Sequence, residues 1–291
     1  MTRLLVTGAR GMVAREVLTQ AKALGWQVTG RSHAELDITD SKAVRTCVGA
    51  TTPDLVLNAA AMAQVDVAER EPELARRVNA EAPGWLAEAC ASAGIPLVHL
   101  STDYVFDGRA RRPYRPQDGP NPLSVYGRTK WEGEEAVRQR LDRHLVVRTS
   151  WVYAANANNF FTTIVQLAHQ QETIRVVSDQ HGSPTLAADL AHALLGAAAA
   201  AMTRSDLWGT YHFCNQGDTT RYEFASAIVA GLAGRPGIVC HSVLPVPTSE
   251  HPRPAARPAY SVLDTNAWIA AFGQTPRRWQ EALSDALCQL N

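Results

Sequence analysis

Short apolar, β-branched segments alternate with helix-like stretches through the first half of this 291-residue chain. The candidate strands lie at residues 4–7, 27–29, 54–58, 97–101 and 145–148. The helical stretches between them lie at residues 12–24, 41–49, 72–93 and 127–140. Near-continuous apolar strands that alternate with helices are typical of a parallel sheet covered on both faces. Right-handed crossovers then wind the chain in both directions, so the sequence predicts an α/β fold with a doubly wound, Rossmann-type parallel sheet.

Beyond residue 150 the alternation is looser. We expect helices at 160–169 and 187–202, strands at 174–177 and 210–214, and extended loops in the proline-rich stretch 245–258. The predicted dinucleotide-binding domain comprises residues 1–150 plus about 187–215. A smaller C-terminal substrate domain comprises about 151–186 plus 216–291.

Charge and cysteine content exclude several classes of partner. Lys plus Arg (28) equals Asp plus Glu (28), which favours neither nucleic acid nor an anionic membrane as a bulk partner. The five cysteines are scattered and form no Cys-x-x-Cys pair, as expected for free thiols in a reducing compartment. The N-terminus lacks a signal-peptide layout, and the longest apolar run, 193–202, is about half of a membrane span. We therefore expect a cytoplasmic protein.

A glycine turn joins the first strand to the first helix. It reads Gly8-Ala9-Arg10-Gly11-Met12-Val13-Ala14, a Gly-x-x-Gly-x-x-Ala variant of the dinucleotide fingerprint. Glycine permits a tight turn close to a pyrophosphate, whose charge is favoured by the N–H groups at a helix start. At the start of a βαβ unit, this turn favours a dinucleotide cofactor.

The end of the second strand bears on which dinucleotide is bound. An acidic residue there would bind the adenosine ribose of NAD, but the chain reads Gly30-Arg31-Ser32. Arg31 and Arg10 could instead neutralise a ribose 2′-phosphate through charge-assisted hydrogen bonds, although both could also be ordinary surface arginines. Two arginines at these places favour NADP.

Tyr126 and Lys130 are spaced four residues apart on a predicted helix, which places both on one face. A ketone that accepts hydride at carbon needs a proton on its oxygen, and a phenol can supply it. Nearby positive charge stabilises the resulting phenolate. Thr102 follows the fourth strand, where ligands of doubly wound folds bind, and its hydroxyl can hydrogen-bond the carbonyl and the tyrosine.

Eight stretches give the chain a resemblance to the extended short-chain dehydrogenases, and within them to the dTDP-4-dehydrorhamnose reductase family. They are LDITD (36–40), NAAA (58–61), VDVAE (65–69), STDYVFDG (101–108), NPLSVYG (121–127), RTSWVY (148–153), DQHGSPT (179–185) and RPAYSVLD (257–264). The stretch 101–108, followed by Tyr126, is highly specific to this family. The resemblance implies NADPH-dependent reduction of a 4-keto-6-deoxyhexose carried on thymidine diphosphate, which completes dTDP-L-rhamnose.

The resemblance also implies roles for individual residues. Tyr126 is the proton donor, Lys130 is its partner, and Thr102 tunes the donor and the substrate oxygen. Asp103 and Tyr104 contact the sugar nucleotide.

Other residues carried over by motif are candidate binding residues. The cofactor set adds residues near the pyrophosphate, the adenine and the nicotinamide groove: Gly11, Met12, Val13, Asp37, Ile38, Ala61, Met62 and Ala63. Trp151 is implied as a substrate-site residue, and Arg257 is a candidate diphosphate contact that could equally be a surface arginine. Asn79 is either the helix asparagine that supports the active-site lysine or an exposed amide.

The sequence departs from the family pattern at several positions. Met62-Ala63-Gln64 stands where a Tyr/His-Thr pair is usual, and Arg31 stands where members often carry an acid. Some members accept either nicotinamide cofactor, so NAD(H) use stays open. Of the glutamates that hold a divalent ion at some family interfaces only Glu16 matches, so we predict no metal. His181 is expected to be structural or substrate-lining, and a homodimer is a family-level expectation.

Four alternatives compete with this interpretation. A 4,6-dehydratase would carry Asp-Glu after the threonine, but Asp103 is followed by Tyr104. An epimerase recycles tightly held NAD, which Arg31 disfavours. A reductase for another nucleotide-linked deoxysugar stays open, as does a non-catalytic regulatory subunit resembling that of methionine adenosyltransferase, against which the intact Thr102, Tyr126 and Lys130 argue.

Overall fold

The computed structural model describes residues 1–290, which form strands, α-helices and a few shorter turns. The strands are β1 (Arg3–Thr7), β2 (Gln27–Arg31), β3 (Leu55–Asn58), β4 (Leu97–Thr102), β5 (His144–Thr149), β6 (Val152–Tyr153), β7 (Thr173–Val177), β8 (His181–Gly182), β9 (Thr185–Leu186), β10 (Gly209–His212), β11 (Thr219–Thr220) and β12 (Ser242–Val246). The helices are α1 (Met12–Ala23), α2 (Ser41–Thr51), α3 (Val65–Arg70), α4 (Pro72–Arg76), α5 (Ala82–Ala93), α6 (Val125–Arg138), α7 (Phe160–Gln170), α8 (Ala187–Thr203), α9 (Arg221–Leu232), α10 (Asn266–Phe272) and α11 (Trp279–Cys288). A π-helical turn (Arg77–Glu81) links α4 to α5, and a 3₁₀ turn (Asp103–Val105) follows β4.

Six parallel strands form the central sheet in the order β2-β1-β3-β4-β5-β10. The chain winds outward from β1 to β2 and then in the opposite direction from β3. The strand order therefore reverses between β1 and β3, and ligands of doubly wound sheets bind in the crevice at such a reversal.

Alternate strand residues point to opposite faces of this sheet, because side chains in a strand have a period of two. Leu4 and Val6 pack in a core with α1 and α8, whereas Leu5 packs in a separate core with α2 and α5. Both faces are thus covered by helices. The predicted doubly wound α/β fold is confirmed.

A third core lies away from the central sheet and is built mainly by α7, α9 and α11. Capping boxes begin two of these helices: Asn159 with Thr162 at α7, and Thr220 with Glu223 at α9. Beside it, β7 and β12 form a two-stranded parallel sheet.

The proline-rich stretch differs in part from the predicted extended loop. Pro245 lies inside β12 and pairs with Val176, which an edge strand tolerates because its outer N–H groups need no partner. Residues 251–258 contain neither helix nor strand, as expected.

Within residues 1–290, no helix is both long enough and apolar enough to cross a membrane. The predicted division into a dinucleotide-binding and a substrate domain stays a prediction. One element bears on it: Trp268, on α10, packs in the core between α1, α8 and the sheet although it lies in the segment 216–291.

Candidate active site

The glycine turn between β1 and α1 has the geometry of a pyrophosphate cradle. Gly8 has a φ of +71°, and a Cβ at this position would lie 2.7 Å from the backbone of Ala60. Only glycine fits both constraints. Gly11 is the N-cap of α1, and glycine has no side chain that could cap the helix. The first N–H groups of the helix are therefore available to an anion. The turn therefore fits a dinucleotide.

A cleft with a volume of about 870 Å³ opens at the carboxyl ends of β1, β3, β4 and β5. The glycine turn lies at one side of it, and the β4 terminus and the start of α6 lie at another. The predicted site residues that line it are Arg10, Gly11, Met12, Val13, Ala61, Ala63, Thr102, Asp103, Tyr104, Tyr126, Lys130 and Trp151. One concave surface thus collects both the predicted cofactor residues and the predicted catalytic residues.

Helix α6 carries Tyr126 and Lys130 into this cleft. Ser124 begins the helix by accepting a hydrogen bond from the N–H of Gly127. Burial raises the pKa of Tyr126 well above its usual value, although a hydrogen bond with Thr102 opposes the rise. The phenol is therefore protonated at neutral pH, as a proton donor must be.

Lys130 is buried behind the tyrosine. Its Nζ donates a hydrogen bond to the carbonyl oxygen of Leu100 at 2.6 Å and lies 3.5 Å from Nε2 of His99. Burial lowers the pKa of Lys130 to about 8, against the opposing charge of Glu134. Lys130 therefore loses its charge more readily than an exposed lysine would.

Glu134 anchors α6 to the sheet. Arg148 on β5 contacts both of its carboxylate oxygens, at 2.9 and 2.7 Å, and Arg138 adds a third bond at 2.6 Å. Burial works against the charged carboxylate, but the two arginines outweigh it and hold the pKa of Glu134 below its usual value. This ion network fixes the helix that carries Tyr126 and Lys130.

Asp103 presents an unpartnered carboxylate oxygen in the cleft. Its Oδ1 accepts a hydrogen bond from the Thr102 hydroxyl at 3.0 Å, whereas Oδ2 has no partner among the described residues. Burial raises the pKa of Asp103 to about 6. The Thr149 hydroxyl, which also lines the cleft, is buried without a partner as well. Buried polar atoms are normally satisfied, so both atoms fit a polar ligand.

Trp151 lines the same cleft as Tyr126 and adopts a strained backbone conformation, with a φ of +47°. A Cβ on Gly182 would lie 2.3 Å from the indole ring of Trp151. The guanidinium carbon of Arg221 lies over the same ring, 3.6 Å from its centroid. The indole is thus held between a glycine backbone and a cation.

Arg221 is a site residue that the sequence reasoning missed. It lines the cleft at the first position of α9, where burial lowers its pKa while Tyr104 and Asp103 favour the charged form. The capping box of Thr220 and Glu223 could have predicted the start of this helix. No local signal shows that its first side chain returns to the cleft.

Of the residues predicted to bind the adenosine end, Arg10 lines the cleft, whereas Arg31, Asp37 and Ile38 do not. Arg31 lines a neighbouring open groove of about 620 Å³ together with Lys42, and the charges of Arg31 and Arg10 both reach Glu35. Asp37 accepts two hydrogen bonds from Thr39, at 2.9 and 2.7 Å. Ile38 is buried in the core of that sheet face, so its side chain packs inward.

Asn79 holds the segment that contains Met62. Its amide accepts from the Met62 N–H at 2.9 Å, donates to the Met62 carbonyl at 3.1 Å, and lies 3.3 Å from the Thr129 hydroxyl. Asn79 is 1% exposed, so the exposed-amide alternative is wrong. These contacts hold the 61–63 segment against α6. They do not include Lys130.

Two further predicted residues have structural partners. Arg257 donates to both carboxylate oxygens of Asp66, at 3.2 and 2.9 Å, and is not among the residues that line the cleft. His181 joins the chain to residues 259–261 through backbone hydrogen bonds. Among residues 1–290, no three His, Cys, Asp or Glu side chains are grouped to hold a metal ion.

Comparisons with known proteins agree along the whole chain. The model of the RmlD substrate binding domain family matches residues 1–291. A dTDP-4-dehydrorhamnose reductase of Streptomyces griseus is 44% identical over 98% of this chain and 94% of its own length. A dTDP-4-keto-6-deoxy-D-glucose reductase of Streptomyces niveus is 39% identical over 99% and 98%. The crystal structure of a dTDP-4-dehydrorhamnose reductase of Bacillus anthracis in complex with NADP superposes with a TM-score of 0.92 at 33% identity, covering 99% of both chains.

Proposed function

The chain belongs to the RmlD substrate binding domain family, and from this premise we propose that it is an NADPH-dependent dTDP-4-dehydrorhamnose reductase. In this reaction the 4-keto group of dTDP-4-dehydro-6-deoxy-L-hexose becomes the hydroxyl of dTDP-L-rhamnose or a close deoxysugar. The observation that carries the proposal is the convergence of Tyr126, Lys130 and Thr102 on the cleft that begins at the glycine turn.

We propose that the glycine turn and the segment after β3 hold the cofactor. Gly8, Arg10, Gly11, Met12 and Val13 would approach its pyrophosphate, and Ala61, Met62 and Ala63 would border the nicotinamide half. Arg31 would read the 2′-phosphate, while Asp37 and Ile38 would flank the adenine through their backbone, since their side chains are engaged elsewhere. NADPH, when bound, supplies the hydride; use of NADH as well stays open.

Tyr126 then supplies the proton. Its phenol is neutral because it is buried, and Thr102 shares a hydrogen bond with it, so the two hydroxyls can bracket one carbonyl oxygen. As the carbonyl oxygen takes the proton, a phenolate forms in the cleft. The Lys130 ammonium offsets this charge, and it is held in place by the Leu100 carbonyl.

The sugar nucleotide would occupy the side of the cleft lined by Asp103, Tyr104 and Trp151. The unpartnered Oδ2 of Asp103 can accept a hydrogen bond from a sugar hydroxyl. For the diphosphate, Arg221 is a stronger candidate than the predicted Arg257. Arg257 is neutralised by Asp66, whereas within the described chain no carboxylate is within ion-pair distance of Arg221, which faces the cleft.

The assay that tests this proposal follows NADPH oxidation with dTDP-4-dehydrorhamnose and identifies the product by NMR. Tyr126→Phe should reduce turnover by about 10²–10⁴-fold with nearly unchanged NADPH affinity, since only the acidic hydroxyl is lost. No reduction by the unaltered protein, across a panel of nucleotide-linked 4-keto sugars, would disprove the proposal.

The same panel distinguishes the alternatives. A reductase for another deoxysugar would prefer a different sugar nucleotide, and the relative from Streptomyces niveus makes this the closer alternative. A regulatory subunit would bind cofactor without turnover, but the relatives compared are named as reductases. We further propose a cytoplasmic location and a homodimer. The division into two domains, 1–150 plus about 187–215 and about 151–186 plus 216–291, remains our proposal.

A further inference from the structure

A chain of buried polar side chains runs behind the active-site lysine, from the end of β1 through β3 and β4. Thr7 donates to Oδ1 of Asn58 at 2.7 Å, the amide nitrogen of Asn58 lies 3.0 Å from Nδ1 of His99, and Nε2 of His99 faces Nζ of Lys130 at 3.5 Å. Thr7, Asn58 and His99 are 0% exposed. Water therefore cannot supply hydrogen bonds that these groups fail to make with each other.

The backbone fixes the orientation of the Asn58 amide. The N–H of Ala60 points at Oδ1 of Asn58 at 3.1 Å, and a backbone N–H can only donate. The atom of Asn58 that receives this bond must therefore be its oxygen. It follows that the other end, which faces His99, is the NH₂ group.

The Asn58 amide in turn fixes the tautomer of His99. An NH₂ group can only donate, so Nδ1 of His99 must be the unprotonated acceptor. Burial and the charge of Lys130 lower the pKa of His99 well below its usual value, so the ring is neutral. Its single proton is then on Nε2 and points toward Lys130.

This arrangement distinguishes the two charge states of Lys130. A neutral amine has a lone pair that can accept the Nε2–H of His99 while it donates to the Leu100 carbonyl. An ammonium has only donors, so it would leave two N–H groups facing each other in a buried site. We propose that the Asn58–His99 pair acts as a positioning device that turns an imidazole N–H toward Lys130 and so favours the neutral amine.

The other charged groups near this pair do not cancel the effect. Glu134, one helical turn beyond Lys130, favours the ammonium, but Arg148 and Arg138 already neutralise it. The positive charges that reach His99 come from Lys130 and Arg138, with a small contribution from His144, and all of them disfavour an imidazolium. Asp103 and Tyr126, which line the same cleft as Lys130, complete the titratable surroundings.

The consequence for catalysis rests on the proposed function. Because the pKa of Lys130 is lowered only to about 8, the ammonium still predominates at pH 7 and is available when phenolate forms on Tyr126. Its loss of charge at higher pH sets an upper pH limit for reduction. Without the N–H of His99, that limit should move to higher pH.

The composition of the chain makes a direct measurement feasible. The chain contains three lysines, and Lys22 and Lys42 are exposed. With ¹³C-labelled lysine, the Cε signals of the cofactor-free protein report three titrations, two of which are internal controls. We expect Lys130 to titrate below the other two. A Lys130 that titrates together with Lys22 and Lys42 would overturn the inference.

Two variants alter the device in different ways. His99→Asn keeps an oxygen acceptor for Asn58 and removes the N–H that faces Lys130. Asn58→Asp replaces the NH₂ donor by an acceptor, which forces the proton onto Nδ1 and turns the Nε2 lone pair toward Lys130. In both variants, the midpoint of the Lys130 titration should rise by about one pH unit, and the midpoints of Lys22 and Lys42 should not change. Unchanged midpoints in a folded variant would overturn the inference.

A ¹⁵N spectrum of the histidine rings reads the tautomer itself. We expect one signal, absent from His99→Asn, in the Nε2–H form across the neutral range; an Nδ1–H or doubly protonated ring would contradict the inference. In the NADPH assay, the alkaline limb of kcat should shift upward in His99→Asn. The NMR measurements need no substrate, so they remain decisive even if the chain reduces no 4-keto sugar and the proposed function fails.

Discussion

The carboxyl group of Asp103 is buried and only partly satisfied by hydrogen bonds. One oxygen is satisfied by Thr102, and the other is buried without a partner. The raised pKa, about 6, means that the folded protein holds this proton more tightly than the unfolded chain does. The carboxyl therefore costs little stability below its ordinary pKa of 3.8, costs progressively more as the pH rises from there to about 6, and has a constant cost above that range.

Asp103→Asn should consequently stabilise the cofactor-free protein at pH 7, by on the order of 2 kcal/mol, while it impairs reduction of the sugar nucleotide. The amide oxygen still accepts from Thr102, and no charge remains to be buried. Urea unfolding at pH 7 and near pH 4.5 measures the effect. The increase in the free energy of unfolding should be present at the higher pH and mostly lost at the lower one. An equal increase at both pH values would contradict the titration argument.

Arg221 and Arg257 form a matched pair of arginines with different partners. Arg221 faces the cleft and stacks on Trp151, whereas Arg257 is paired with Asp66. We expect Arg221→Met to raise KM for the sugar nucleotide by roughly 10–100-fold, because hydrogen bonds to charged groups contribute about 1.5–3 kcal/mol. The KM for NADPH should change little.

Arg257→Met is the control for that prediction. It should change the KM for the sugar nucleotide much less than Arg221→Met. Steady-state kinetics with both substrates varied decides between them. A larger effect at Arg257 would restore the sequence-based assignment of the diphosphate contact to that residue.

At the scale of elements, the position of α6 depends on its close approach to the π-helical turn at residues 77–81. A Cβ on Gly133 would lie 2.1 Å from the carbonyl oxygen of Asn79, so any side chain there must push the two elements apart. Gly133→Ala should destabilise the protein by about 1–3 kcal/mol and lower kcat, since α6 carries Tyr126 and Lys130.

Gly49 provides the matched control, because it lies in α2 with open space where a Cβ would be. Gly49→Ala should instead stabilise by about 0.5–1 kcal/mol, the usual helix preference for alanine, with kcat unchanged. Thermal unfolding and kcat of both variants test the pair. Similar stability changes in the two variants would show that the approach of α6 to Asn79 is not constrained.

The elements that were predicted well from the sequence are those whose residues lie buried in the central sheet. Residues 55–58 are all buried apolar or amide side chains in one parallel strand, and the predicted strand 54–58 differs from β3 by one residue. The two-residue strands β6, β8, β9 and β11 could not be predicted, because two residues display no periodicity. β12 was missed because Pro245 argues against a strand unless it lies at an edge.

The site follows the same distinction. Gly8, Thr102, Tyr126 and Lys130 could be proposed from the sequence because the roles we propose for them are tied to local geometry: a turn, a strand end and helical spacing. Arg221 and the Asn58–His99 pair depend on contacts between residues 41 or more positions apart along the chain. A single sequence contains no signal for such contacts.

At the scale of the whole molecule, the cleft draws its walls from separate cores. Met12 belongs to the sheet region, and Asn159, at the start of α7, donates to its sulfur at 3.6 Å across the cleft. A ligand that contacts both walls binds the folded chain and not the unfolded one, so it should stabilise the molecule by about 2.7 kcal/mol at a free concentration of about 100 times Kd.

NADPH should therefore raise the melting temperature, and more than NADH does at equal concentration, because we propose that Arg31 and Arg10 bind its 2′-phosphate. Arg31→Asp should reduce the rise in melting temperature that NADPH causes and leave the rise caused by NADH the same or larger. This outcome separates the 2′-phosphate contact from dinucleotide binding in general. Differential scanning fluorimetry of both proteins with both cofactors makes the comparison. Equal NADPH increments in the two proteins would show that Arg31 does not read the phosphate, and the preference would then have to come from Arg10 or from Lys42 in the adjoining groove.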